Sequence, residues 1–275
     1  MLMAQIIVIL ALLGLCVGSF VNALVWRLHQ QGRKKDKKLS IIKGRSMCVN
    51  CRHELAWYDL IPVFSWLMLA GKCRYCHKPI STQYPAVEII GSIIFAGSYA
   101  FWPAIVHING QWLLLTTWLV CSVGLLALAV YDLRWMLLPN RLIYPTLLVA
   151  ITGRLAYITA FEKRPLHALV LWIFSVAIAS GVFLALFVIS DGKWIGYGDV
   201  RLGLITGTLL ADPAKSLAML FLASLIGTLV ILPALSKGNK KLTSKLPYGP
   251  FLIAGTAIMI VFGTQLLDWY KGLIL

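Results

Sequence analysis

Charged residues are scarce in this sequence. Of its 275 residues only 13% are Asp, Glu, Lys or Arg, and just 10 are acidic. A soluble globular domain carries about a quarter of its residues charged, so that deficit, with a 60% hydrophobic share and a mean hydropathy of +0.84, excludes one. Polar low-complexity tracts are missing too, which removes disorder. Six cysteines in so long and apolar a chain are too sparse for a secreted disulfide scaffold. No repeat of fixed period runs through the chain. The first apolar run lacks a basic n-region and is too long for the apolar core of a signal peptide, so it is expected to stay as a helix.

What is present is a series of stretches without a single Asp, Glu, Lys or Arg: Met1 to Trp26, Ile89 to Tyr131, Pro165 to Ser190, Ser216 to Ser236 and Leu246 to Leu267. Each is long enough to cross a bilayer, which takes about 20 apolar residues. Ile89 to Tyr131 has room for two crossings, with a reversal at Pro103, His107, Asn109 and Gly110. Another crossing is expected from Leu142 to about Phe161, with Arg154 snorkelling toward one end. Leu202 to Ala211 is short and ambiguous alone.

Basic residues resolve that ambiguity, because Lys and Arg are retained on the cytoplasmic side. With Leu202 to Ala211 crossing, the segment from Arg27 to Lys78 places twelve basic residues on one face. Arg134, Arg141, Lys193, Arg201, Lys237, Lys240, Lys241 and Lys245 join them there, and Arg154, Lys163, Arg164, Lys215 and Lys271 remain on the other. The expected fold is therefore an all-α polytopic membrane protein of about eight transmembrane helices, with both termini outside and a small cytoplasmic zinc-binding domain between helices one and two. The divisions are 1–26 for the first helix, 27–83 for the zinc domain and 84–275 for a seven-helix membrane domain. Within the second of these, Leu60 to Gly71 is too short to span. Gly14/Gly18 and Gly203/Gly207 fit the spacing by which small residues bring helices together.

Cys48-x2-Cys51 and Cys73-x2-Cys76, separated by 21 residues, are two knuckles able to fold over one tetrahedral ion. In a reducing compartment a disulfide is disfavoured. Four thiolates close the shell to substrate, so Cys48, Cys51, Cys73 and Cys76 are expected to bind a structural zinc that a domain this small needs in order to fold. His53 and His77 lie close enough to substitute as ligands but read better as solvated loop residues. Cys16 and Cys121 sit in spans as packing residues.

Four of the ten acids stand at or beside helix ends: Glu88, Asp132, Asp191 and Asp199. Carboxylates near lipid are costly and are candidates for function. Asp132 ends the third span, in Tyr131-Asp132-Leu133-Arg134-Trp135-Met136-Leu137-Leu138-Pro139, and Asp199 opens the sixth, in Gly196-Tyr197-Gly198-Asp199. The charge pattern puts both at the cytoplasmic face. Two carboxylates at one depth can share a proton, one activating water as general base while the other protonates or polarises a peptide carbonyl. Pro139 is expected to stop the helix after Asp132, and Gly196 and Gly198 to loosen the backbone beside Asp199. The competing reading is structural, with each Asp capping a helix or pairing with Arg134, Arg141, Lys193 or Arg201. Asp191 is a candidate contact for a basic substrate segment. No strand precedes Gly196-x-Gly198, so it is no nucleotide fingerprint.

These motifs, in this order, resemble the bacterial type IV prepilin peptidases of the GxGD class of intramembrane aspartic proteases. Gly18-Ser19-Phe20-Val21-Asn22 with Arg27 is similar to that family's first-helix motif, and the four cysteines to its cytoplasmic zinc domain. Tyr84-Pro85-Ala86-Val87-Glu88 resembles the opening of its second helix. Asp132 with Leu138-Pro139, and Gly198-Asp199, fall on its two catalytic aspartates, and Tyr248-Gly249-Pro250-Phe251 resembles its last-helix signature. The chain departs from many members in having Gly91 and Ser92 where they place glycine four residues after the Glu. The resemblance implies cleavage of the short basic leader of prepilins or pseudopilins after a Gly, at the cytoplasmic face of the inner membrane. It then implies N-methylation of the new N-terminus with S-adenosylmethionine, Glu88 holding an amine of substrate or cofactor.

A membrane-anchored zinc-ribbon regulator or assembly factor is the alternative from another class, and a transporter is a third. The basic loop would suit phosphate contacts. Positive-inside retention and anionic membrane lipid already account for its charge, so no nucleic-acid partner is expected.

Overall fold

The computed structural model describes residues 1–34, 44–106, 108, 110–236 and 246–274. Among them every extended element is a helix, as the apolar runs require: a chain that meets lipid must satisfy its backbone groups within each segment. The helices are α1 (Leu2–Lys34), α2 (Phe64–Met68), α3 (Gln83–Ala100), α4 (Gln111–Trp135), α5 (Asn140–Phe161), α6 (Pro165–Ile189), α7 (Tyr197–Leu210), α8 (Pro213–Ser236) and α9 (Gly249–Ile274), with a single 3-10 turn at Trp57–Leu60. Six of them, α1, α4, α5, α6, α8 and α9, are long and apolar enough to cross a membrane. The chain is thus an all-α, multi-pass membrane protein. The shorter α3 and α7 are outside that set of six, so the count of eight crossings rests on the charge pattern alone.

Two compact units divide the chain, Met1–Ala100 and Phe101–Leu275. In the first, α1 packs along α3. The approach is set by missing side chains. A Cβ on Gly14 would stand 2.4 Å from the Gly91 carbonyl oxygen, and one on Gly18 would stand 2.5 Å from the Glu88 Cα. Lipid tails are as apolar as Leu, so close backbone contact between small residues, not hydrophobic exclusion, holds such pairs. Polar contacts fix the register: Asn22 Nδ2 donates to the Tyr84 carbonyl at 3.1 Å, and Gln83 Nε2 donates to Asn22 Oδ1 at 3.3 Å. Between the two helices, the run from Leu60 to Gly71 forms the five-residue α2 and leaves Phe64, Leu67 and Met68 exposed.

The second unit surrounds α7. Val200, Leu202, Gly203, Ile205, Thr206, Gly207, Thr208 and Leu210 are all buried, which explains why so short a helix is nearly uniform in character. At 14 residues it is about 21 Å long, less than the roughly 30 Å of a hydrocarbon core. Gly203 and Gly207 lie against α6, where added Cβ atoms would come within 2.5 Å of the Ala179 carbonyl oxygen and 2.8 Å of the Val176 Cα. Ser175 and Ser180 of α6 donate to the carbonyls of Gly207 and Val200, binding the two helices at both levels. Residues 101–110, where a reversal is expected, link α3 to α4 in the chain. His107 and Asn109 lie outside the described residues, as do Lys237, Lys240, Lys241 and Lys245 of the basic pattern.

If glycine contact holds α1 to α3, Gly91→Val should lower the thermal midpoint of the purified protein and expose the first unit to protease. Overpacking of this kind costs about 1 to 3 kcal/mol. Gly97→Val is the control, since nothing lies within 4 Å of its added Cβ. Equal effects from the two would remove the argument.

Candidate active site and metal centre

Asp132 lies in the last turn of α4 and is 5% exposed. The helix ends at Trp135 because Met136 turns left-handed, φ 52°, and returns its N–H to the Asp132 carbonyl at 2.8 Å. Pro139 therefore does not stop α4. It stands immediately before α5, where the N–H that proline lacks has no helical acceptor to serve. The side chain of Asp132 turns inward to the start of α9, and Oδ2 accepts the Gly249 N–H at 3.1 Å. Helix N-termini present unsatisfied N–H groups and a partial positive charge, a natural counterpart for a buried carboxylate. A Cβ at position 249 would meet that Oδ2 at 2.8 Å, so glycine is required for the contact.

Asp199 stands in the first turn of α7. Its glycine neighbours act by absence of bulk. Gly196 is extended and precedes the helix, and Gly198 is helical; neither adopts a left-handed conformation. A Cβ on Gly198 would lie 3.0 Å from Leu138, so this glycine lets the start of α7 rest on the turn that follows α4. That packing brings Asp199 within electrostatic reach of Asp132. Of the competing structural reading, the ion-pair half finds no support among the described residues, since neither aspartate is in a salt bridge, whereas the capping half is met at Asp132, which accepts the first N–H of α9. Arg201 instead donates to Asn140 Oδ1 and lies over the Tyr197 ring, and Arg134 lies over Trp135. Asp191 sits in the α6–α7 turn at φ 49° and is exposed.

From the sequence Tyr248 and Gly249 stand out only as part of the motif that resembles a last-helix signature, with no role of their own. Besides the Gly249 contact, the Tyr248 hydroxyl lies 3.1 Å from Ser224 Oγ and its ring meets Phe183 edge-on at 5.6 Å. The phenol is also within electrostatic reach of Asp199. The signal that could have found them is glycine followed by proline at a helix start, since Pro250 leaves the Gly249 N–H without a competing neighbour.

In the first unit the four cysteines converge. Their Sγ atoms all lie within 4.8 Å of one another, with Cys48 and Cys76 at 3.9 Å. Thiolates on one tetrahedral zinc are about 3.8 Å apart, given Zn–S bonds of about 2.3 Å, so the donor set fits that ion. Both knuckles are built alike. Cys48 N–H donates to the His53 carbonyl and Arg52 N–H to the Cys48 carbonyl; Cys73 N–H donates to the Lys78 carbonyl and His77 N–H to the Cys73 carbonyl. Arg52 and His77, each following the second cysteine of its knuckle, turn left-handed at φ 62° and 55°. Burial pushes the Cys48 thiol up, but N–H groups from Cys51 and Asn50 outweigh it and bring the group down to about 7. His53 is stacked on Tyr75, with ring centres 3.7 Å apart. Asp59 ties the 3-10 turn to the second knuckle through Arg74 Nε at 2.8 Å and the Tyr75 hydroxyl at 3.1 Å. Burial opposes its ionisation, yet Arg74 and Tyr75 hold the carboxyl below the usual Asp range.

Glu88 is 6% exposed on α3, opposite the gap that Gly18 leaves. Its Oε2 accepts the Val63 N–H at 2.7 Å, which anchors the start of α2. No cation pairs with it among the described residues; Arg27 donates to the Gly44 carbonyl.

The class so defined is a multi-pass helical membrane protein with a four-thiol module in one unit and, in the other, carboxylates at the end of α4 and the start of α7. Residues 12–102 match the profile described as the bacterial peptidase A24 N-terminal domain, and residues 119–232 that of the type IV leader peptidase family. The chain is 31% identical to the prepilin leader peptidase/N-methyltransferase of Bacillus subtilis (strain 168), over 95% of this chain and 96% of that protein. It is 30% identical to the protein of the same name from Burkholderia pseudomallei (strain K96243), over 92% and 84% of the two chains, and 28% identical to that of Pseudomonas aeruginosa, over 94% and 91%. No solved structure matches it. The chain belongs to the type IV leader peptidase family.

Metal analysis of the purified protein should return one zinc per chain. Cys48→Ser combined with Cys73→Ser should bring it below about half an equivalent and open the 44–83 segment to protease, because closure over the ion supplies folding free energy that so small a module lacks. Unchanged protease resistance after the substitutions would show that the thiols merely pack together.

Proposed function

We propose that this protein is a prepilin leader peptidase that also methylates its product, with Asp132 and Asp199 as the proteolytic pair at the cytoplasmic face of the inner membrane. The observation that carries the reading is the packing around two carboxylates that no described cation pairs with: Asp132 Oδ2 accepts the N–H at the start of α9, and Gly198, beside Asp199, rests on Leu138 of the turn that follows α4. Neighbouring carboxylates favour sharing one proton. The carboxylate on the Gly249 N–H suits the charged partner, because a helix N-terminus favours negative charge. In this reading Asp132 takes a proton from water as the water attacks the peptide carbonyl. Asp199 gives its proton to the carbonyl oxygen, and no side chain becomes covalently attached.

The substrate is the basic leader of a prepilin or pseudopilin, presented from a membrane-embedded helix, with Asp191 as an exposed contact for it. The division into 1–26, 27–83 and 84–275, the eight crossings with both termini outside, and the placement of the basic loops in the cytoplasm follow from positive-inside retention. Four thiolates would hold zinc as a structural cross-link. For the second activity Glu88 is the residue we assign. A buried carboxylate without a cation is what an ammonium group would satisfy, and Glu88, which accepts from the Val63 N–H and from Ser19, keeps acceptor capacity for the new N-terminus or a cofactor amine. S-adenosylmethionine, when bound, supplies an electrophilic methyl group to that amine.

Purified enzyme mixed with a prepilin, its product N-terminus identified by mass spectrometry, tests the assignment. Asp132→Asn and Asp199→Asn should each reduce cleavage by at least about a thousandfold while the protein keeps its zinc and its fold, because base and acid are both needed for water attack. Losses of only a few-fold would return both residues to a structural role. The rate should be bell-shaped in pH, with limits belonging to the pair. Glu88→Gln should spare cleavage and lower methylation by at least about tenfold, as expected for a lost charge-assisted contact. Equal loss of the two activities would make Glu88 a prop for α2 alone.

A further inference from the structure

At the other end of the second unit is a cavity of about 290 Å³, lined among others by Gln111, Thr117, Arg154, Thr208 and Lys215. Trp118 of α4 and Thr208 of α7 are the lining residues nearest the aspartates along these helices, so the cavity is removed from Asp132 by about 21 Å and from Asp199 by about 14 Å. It is not part of the carboxylate site.

Two cations share this space. Arg154 projects from α5 and Lys215 from the first turn of α8, and they are within electrostatic reach of each other. Neither is in an ion pair among the described residues. Arg154 Nε is buried without a hydrogen-bond partner, and Lys215 Nζ donates to Thr264 Oγ1 at 3.1 Å. The nearby acids Asp212, Asp268 and Glu162 act on these cations through space but pair with neither among the described residues. Asp212 Oδ1 accepts the N–H groups of Ala214 and Lys215 at the start of α8, and Asp268 pairs with Lys271 at 3.6 Å. Glu162, the remaining acid in electrostatic reach, is beyond ion-pair distance of Arg154. The polar lining is already in use: Gln111 accepts from Trp102 Nε1 and donates to the Tyr157 hydroxyl.

The position is also built for these side chains. Lys215 lies along Gly263, where a Cβ would come within 3.3 Å of its Cδ. Arg154 lies over the Tyr157 ring, with 5.5 Å from its Cζ to the ring centre. Two like charges drawn into one partly enclosed cavity repel each other and lose hydration, a combination that an anion between them relieves. A guanidinium fork whose Nε–H lacks a partner, beside an ammonium, matches phosphate oxygens in both charge and geometry.

We propose that this cavity binds a phosphate-bearing anion, with the phosphate held between Arg154 and Lys215. The phosphate can come from a membrane phospholipid headgroup, since α4, α5 and α8 are apolar enough to lie in a bilayer and the cavity is near their ends, or from free phosphate. The site is independent of the peptidase reading.

The test uses the full chain in detergent and follows thermal unfolding by tryptophan fluorescence. Phosphatidylglycerol titrated into the micelles should raise the midpoint saturably, and diacylglycerol with the same acyl chains should not. Arg154→Gln and Lys215→Gln should each raise the half-saturating lipid concentration by at least about fivefold, as for loss of a charge-assisted contact. Lys163→Gln and Arg164→Gln, at exposed positions nearby, should leave it unchanged. Arg154→Lys, which keeps the charge, should retain more binding than Arg154→Gln and stands in if the latter does not stay folded. Inorganic phosphate giving the same protection, lost in the same variants, supports the site with free phosphate as its source. Protection by neither phosphate compound, equal protection by diacylglycerol, or equal weakening by the exposed-residue variants would overturn the proposal.

Discussion

A carboxylate inside a helical membrane unit needs a counterpart, and the one at Asp132 is a backbone N–H rather than a cation. The arrangement of the second unit depends on that contact. For Gly249 to reach Asp132, α9 must begin where α4 ends, and position 249 must carry no Cβ. For Asp199 to join them, α7 must begin against the same turn, which Gly198 permits by leaving space for Leu138. A helix N-terminus has a further advantage over arginine at this place. It stabilises charge without neutralising it, so the carboxylate remains available as a proton acceptor.

Glycine at the helix contacts has one role, the removal of a Cβ. Gly14 with Gly91, Gly18 with Glu88, Gly203 with Ala179 and Gly153 with Thr117 all mark places where a methyl group would collide with a neighbouring helix. Serine and threonine then satisfy carbonyls across or along the contact, as Ser175 does with Gly207. Where hydrophobic exclusion gives little, close van der Waals contact and such hydrogen bonds are what lipid leaves available. The departure at Gly91 and Ser92 is one instance: Gly91 is the residue that meets Gly14.

The first unit solves a different problem. Its polar segment has too small a core to order itself, so order comes from the four-thiol cluster, from Asp59 bridging to Arg74 and Tyr75, and from Glu88 holding the Val63 N–H. Glu88 is placed by Gly18 on one side and anchors α2 on the other.

Much of this was legible in the chain itself. Apolar runs free of charge give the helices, since no other structure satisfies a backbone in lipid, and two Cys-x2-Cys knuckles give the thiol cluster because the spacing constrains both members of a pair locally. Asp132 and Asp199 stood out because acids are rare here. The sequence could not decide what the glycines beside them do. It suggested a loosened backbone at Gly196 and Gly198 and a helix stopped by Pro139, whereas Gly198 serves close packing and Met136 ends α4 three residues earlier. Nor could it pair Gly249 with Asp132, 117 positions away, or bring Arg154 and Lys215 to one cavity. Periodicity and spacing report what a residue does within its own helix; which helices meet, and at what height, depends on packing among all of them.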